Sequence, residues 1–144
     1  MAAQALYGTP AIVVDLGTAI TFDVISPGGE YLGGAIAPGI RASADALFRR
    51  AARLPRVELA VPSRAIGTTT SESIQAGIVL GAAILIDGLV ARITAELGGT
   101  PRVIATGGDA GLIRDQALSV EIIDPTLTLQ GMRLVESRLR DRPA

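Results

Sequence analysis

Three short segments hold the residue types that can do chemistry in this chain. The first is Asp15-Leu16-Gly17-Thr18. A carboxylate at a strand end, then glycine and a hydroxyl in a tight hairpin, can hold a cation and offer backbone N–H groups to phosphate oxygens. A plain hairpin whose aspartate bonds its own loop has the same spacing. The second is Ala105-Thr106-Gly107-Gly108. Paired glycines at a strand end let a planar group lie against bare backbone, although such a pair also simply makes a turn. The third, Ile66-Gly67-Thr68-Thr69-Thr70, gathers hydroxyls where a long helix should begin. Such a place attracts anions, and it is equally a place where a hydroxyl merely caps.

Composition excludes most other chemistries. All 13 basic residues are arginine, and the chain has no lysine, histidine or cysteine. Zinc sites of the usual kind, Ser-His and Cys-His nucleophile pairs, Schiff bases and the lysine of a Walker A loop are therefore absent. Carboxylates, hydroxyls, arginines, backbone amides and a hard cation are what is left. A net charge of −1 speaks against a nucleic-acid binder, which would carry a basic surface. The absence of cysteine suits the cytoplasm. Met1 to Leu6 has no signal-peptide pattern, and the apolar run Ala76 to Ile86 is too short to span a bilayer, so a soluble protein with no membrane partner is expected.

The elements that must position these segments follow from periodicity. With 144 residues, 49% of them hydrophobic, the chain should form one domain, 1–144, with a real core. Ala11–Leu16, Ile20–Ile25 and Tyr31–Ala37 read as three consecutive antiparallel strands, the second and third joined by the Pro27-Gly28-Gly29 turn. Gly33-Gly34 in the third marks a place where another backbone or a ligand comes close. Ile40, Ala44, Leu47, Phe48, Ala51 and Leu54 then share one helical face, with Arg49, Arg50 and Arg53 turned away and Pro55 as the stop. Thr70 or Ser71 is expected to cap a helix running to about Leu97 and stopping at Gly98-Gly99. Arg102–Thr106 is a fourth strand, Ala110–Ala117 a short helix, Val120–Ile123 a fifth strand and Leu127–Leu139 a closing helix. Arg138, Arg140 and Arg142 suit the C-terminal end of that helix. The order β-β-β-α-α-β-α-β-α is an α/β, ribonuclease-H-like pattern, one half of an actin-like kinase domain.

Taken in order, DLGTAITFDV, YLGGAIAPGI, RAARLP, IGTTTSESIQAG, VIATGGDA and LTLQGM resemble the type III pantothenate kinases from Leu6 to Leu139. The resemblance implies a sugar kinase, Hsp70 and actin superfamily fold. It also implies ATP-dependent phosphorylation of pantothenate, the first step of coenzyme A synthesis, with Mg2+ and a monovalent cation, K+ or NH4+. By that resemblance Asp15 is the monovalent-cation ligand, and Gly17 and Thr18 belong to the second phosphate loop. Gly107 and Gly108 fall on the adenosine side, and Thr70 contacts pantothenate in the neighbouring subunit. Thr69 replaces a common asparagine and Asp109 a usual leucine. The family's Asp-x-Gly-Asn-Thr loop and its Gly-x-Asp-Arg motif, which carries the catalytic base, do not occur here. The expectation is thus a C-terminal half-domain with no catalytic residue of its own, inactive alone, pairing with a missing N-terminal half or with a second copy as a homodimer. The apolar circumference of Ala76 to Ile86 favours such an interface. Asp23, eight residues from Asp15, could face either the sheet surface or the cleft.

Overall fold

A computed structural model describes residues 1–51 and 53–140. Strands β1 (Ala11–Leu16), β2 (Ala19–Ile25) and β3 (Tyr31–Pro38) form an antiparallel meander. β4 (Arg102–Thr106) then pairs parallel to β1, and the short β5 (Ile122–Ile123) pairs parallel to β4. The sheet order is β3-β2-β1-β4-β5. Three antiparallel strands extended by parallel ones on the far side of β1 make the ribonuclease-H-like arrangement that the strand order implied. The glycine expected to admit a close neighbour does so at Gly34, where a Cβ would overlap the Phe22 carbonyl of β2.

Strand alternation splits the core into two faces. Ile12, Val14 and Leu16 of β1, Ile20 and Phe22 of β2, and Val103 and Ala105 of β4 point to one side. There they meet Ile40 of helix α2 (Ile40–Arg50) and Ala83, Ile86 and Val90 of helix α4 (Gly81–Leu97). Each fully buried Ile, Val, Leu or Phe side chain here stabilises the fold by about 1.5–3 kcal/mol. On the other side Ala11, Ile25 and Ile104 pack against Ala2 and Ala3 of helix α1 (Ala2–Tyr7) and Leu127 of helix α6 (Leu127–Arg140). Helix α1 was not anticipated, because six residues show too little periodicity to read. The predicted stop of α2 at Pro55 is also corrected: the helix ends at Arg50, and the run it was expected to continue through includes Ala52, outside the described residues. Arg142, placed with the arginines at the end of α6, also lies outside them.

The long helix is one continuous rod from Thr70 to Leu97, made of α3 (Thr70–Gln75), a π-helical turn (Ala76–Leu80) and α4. Its cap is Thr69, one residue before the expected position, whose hydroxyl accepts from the Glu72 N–H at 3.2 Å. Glu72 reaches back to the Thr68 amide and hydroxyl, and these two bonds hold its carboxyl below the usual range against slight desolvation. By length and composition the 28-residue rod could cross a membrane, since an 18-residue stretch within it has a mean hydropathy of 2.0. Its Ile74, Ala76, Val79, Ala83, Ile86 and Val90 are buried within the chain, and Gly77, Gly81, Ile84, Leu85 and Gly88 are exposed on the opposite side.

Asp124 fastens α6 and α1 to the end of β5. Its carboxylate accepts from the Tyr7 hydroxyl at 2.9 Å, the Thr126 amide at 2.9 Å, the Thr126 hydroxyl at 2.7 Å and the Gln130 side chain at 3.0 Å. Burial pushes Asp124 upward, but these donors outweigh it and hold the carboxyl below the ordinary aspartate range.

Candidate functional site

Three chain segments lock together at the C-terminal end of β1. The β1–β2 hairpin closes with the Gly17 amide donating to the Ala19 carbonyl at 3.0 Å. Gly39, just before α2, sends its amide to the Thr18 carbonyl at 3.0 Å. A Cβ on Gly39 would collide with the carbonyls of Gly17 and Thr18, so α2 is forced to begin beside the hairpin. The loop after β4 docks from the opposite side, its Asp109 amide donating to the Leu16 carbonyl at 3.1 Å.

Gly107 makes that docking possible. Its φ is +96°, and a Cβ there would fall 2.5 Å from both Asp15 Oδ1 and the Leu16 carbonyl oxygen. Only glycine meets both demands. The consequence is a cavity of about 480 Å³ lined by Leu16, Gly17, Thr18, Gly108 and Asp109, with Arg41, Ala42, Asp45 and Arg49 of α2 as the remaining wall. The lining combines exposed backbone and the Thr18 hydroxyl with two arginines and two carboxylates, Asp109 being paired with Arg41, so Arg49 and the free edge of Arg41 are what it offers to an anionic group.

Asp15 opens to the other side of the sheet. It is half-buried, in register with Thr21 on β2 and Thr106 on β4. Together with Asp23 and Thr106 it forms the polar end of an open groove of about 750 Å³ whose far wall is the apolar side of α6 (Leu127, Met132, Val135). Asp23, which the sequence could not orient, therefore shares the face of Asp15; its Oδ1 accepts from the Tyr31 hydroxyl at 3.2 Å. That bond pushes the Tyr31 phenol above its usual value. Among the described residues no group of three or more acidic or cysteine side chains could cage a metal ion.

The structure thus gathers Asp15, Gly17, Thr18, Gly107 and Gly108 at one strand end and leaves Thr70 apart. Thr70 lines a smaller apolar hollow of about 280 Å³ with Leu47, Leu54, Ser73, Ile74, Gly77 and Ile78. Arg49 is exposed and turned from the apolar face, as expected, and on that outer side it lines the cavity with Arg41 and Asp45. The 41, 45, 49 spacing puts all three on one helix face, and the signal for its direction was Gly39, which ties the first turn of α2 to the hairpin.

Comparison with known proteins agrees with this architecture. A family model for type III pantothenate kinase matches residues 1–92. The type III pantothenate kinase of Moorella thermoacetica is 56% identical over 138 residues, covering 96% of this chain and 54% of that protein. That of Syntrophus aciditrophicus is 54% identical over 132 residues, 92% of this chain and 52% of the relative. The chain spans about half the length of the curated relatives it matches. A crystal structure from Campylobacter jejuni, described as a Baf family transcriptional activator, superposes with a TM-score of 0.66 at 24% identity, covering 98% of this chain and 63% of the other, which speaks to the fold alone. With its family model matched over more than half its length, the chain belongs to the type III pantothenate kinase family.

Proposed function

We propose that this chain is the nucleotide-side half-domain of an ATP-dependent pantothenate kinase, a single unit over residues 1–144. Gly17 and Thr18 contact the phosphates of ATP, and Gly107 and Gly108 carry the adenosine. The observation that carries this reading is the meeting of both glycine-bearing loops around one cavity at the end of β1. Asp15 is the ligand for a monovalent cation, K+ or NH4+. Mg2+ enters with the nucleotide phosphates, since the described residues offer it no carboxylate cage.

Phosphoryl transfer depends on positioning and electrostatic stabilisation from both sides of a cleft. Neither candidate carboxylate makes a convincing base: Asp109 is ion-paired with Arg41, and Asp23 is bonded to Tyr31. The catalytic aspartate comes from a complementary half that closes over the groove between Asp15 and α6, so this chain alone is inactive. The test is phosphorylation of pantothenate with ATP, Mg2+ and K+. No turnover is expected from the chain alone, and measurable turnover once the N-terminal half of a full-length relative is added. Turnover by the isolated chain at an ordinary kinase rate, about 1–100 per second, would overturn the half-site reading.

A second copy is the further partner, in a homodimer within the cytoplasm. Gly77, Gly81, Ile84, Leu85 and Gly88 form one stripe on the long helix, and the side chain of Ile84 is 70% exposed. Open space surrounds the three glycines. Each helical glycine costs about 1 kcal/mol relative to alanine, a cost offset when another helix backbone packs closely against it. Thr70 sits at the start of the same helix, where a helix-to-helix dimer would deliver it to the neighbouring copy and its pantothenate.

A further inference from the structure

We propose that Arg41 is an anion-binding residue of the nucleotide cavity, aligned for that task by Asp109. The inference rests on the nucleotide reading of the cavity and adds to it a contact from α2. Asp109 occupies the N-cap position of the short helix α5 (Ala110–Ile113), where an aspartate ordinarily accepts from its own helix amides. It makes no such bond. Its carboxylate is diverted across the fold to Arg41, where Oδ1 accepts from Nε at 2.8 Å.

The choice of nitrogen matters. Binding through Nε fixes the guanidinium plane while leaving both terminal nitrogens without a hydrogen-bond partner among the described residues. Those two nitrogens form the edge of the fork that matches phosphate geometry. Asp109 is buried and Arg41 largely exposed, with side chains 8% and 70% accessible, so the anchored end is rigid and the donor end free. Arg41 lines the same cavity as Gly17, Thr18 and Gly108. The pair also solves an electrostatic problem: an unpaired carboxylate beside Gly108 would repel the polyphosphate that the cavity is built to take. The ligand class is a nucleoside di- or triphosphate, and Arg41 reads its charge rather than its base.

The experiment compares ATP and adenosine binding by calorimetry for the parent chain, Arg41→Ala and the double variant Arg41→Ala/Asp109→Asn. Arg41 lies on an exposed helix position, but its replacement strands the buried Asp109 carboxylate and should cost some stability, so a thermal melt sets a temperature at which every variant is folded and Arg41→Ala/Asp109→Asn removes that cost. Arg41→Ala should weaken ATP about tenfold or more, the effect of losing a contact to a charged group, and leave adenosine unchanged. The double variant should recover part of the ATP affinity by removing the stranded carboxylate. Equal losses for ATP and adenosine would reduce Arg41 to scaffolding and overturn the proposal, as would unchanged ATP affinity. A parent chain that binds neither ligand would overturn the nucleotide reading itself, and the role of Arg41 with it.

Discussion

Replacing Gly107 by alanine should destabilise the chain by about 3 kcal/mol or more and abolish nucleotide binding together with it. Two independent penalties add at this position. The left-handed φ of +96° costs a residue with a side chain on the order of 1–3 kcal/mol. The new Cβ would also sit 2.5 Å from the Leu16 carbonyl, which is backbone held in the central strand and cannot swing aside. Relief requires the loop after β4 to lift off β1, breaking the Asp109 amide bond and widening the cavity between Gly108 and Thr18. Gly108→Ala is the control, since nothing lies within 4 Å of a Cβ there. Its unfolding midpoint in urea should stay close to the parent's, within about 0.5 kcal/mol in stability. Equal stability of the two variants would show that the docking of this loop onto β1 is not as close as described.

If two copies pair through the long helix as proposed, a charge at Ile84 should separate them. The side chain projects from the middle of the exposed stripe, between Gly81 and Gly88, so in a helix-to-helix dimer an aspartate there would be desolvated against its own symmetry mate. Burying an unpaired carboxylate costs several kcal/mol, enough to weaken association at least a hundredfold. Ile84→Asp should therefore sediment as a monomer at micromolar concentration where the parent sediments as a dimer, with no loss of folded stability, because Ile84 touches little of its own chain. A parent chain that is already monomeric at that concentration would remove the homodimer reading.

Much of this organisation was legible from the residues because local and tertiary preferences agree. Alternating runs around Asp15 and Asp23, the Pro27-Gly28-Gly29 turn and the Gly98-Gly99 stop each specify an element locally, and the sheet then assembles in the implied order. The misses are of another kind. Helix α1 is held by tertiary contacts of Ala2, Ala3 and Tyr7 with α6 and Asp124, which no six-residue window contains. The end of α2 at Arg50 has no signal in its apolar spacing, which continues to Leu54. For the site, glycine loops announce themselves by composition, but the arginines of α2 do not. Arg49 reads only as turned from the apolar face and nothing singles out Arg41, because periodicity separates the buried face from the rest without saying which exposed side meets a neighbouring loop. Asp109 could be noticed as unusual, while its partner lies 68 residues away and only the fold brings them together.

Whether the hairpin and glycine loop hold a nucleotide decides the assignment of this strand end. The measurement is an ATP titration, with Mg2+ and K+ present, of the parent chain and of Thr18→Ala at matched thermal stability. Thr18 is exposed at the hairpin tip and makes no side-chain hydrogen bond among the described residues, so its loss should not disturb the fold. The expected result is saturable binding by the parent, weakened about tenfold in the variant through loss of one hydroxyl contact to a charged phosphate. Identical affinities, or no binding by a well-folded parent chain, would contradict the assignment of this strand end as the nucleotide half of a kinase site.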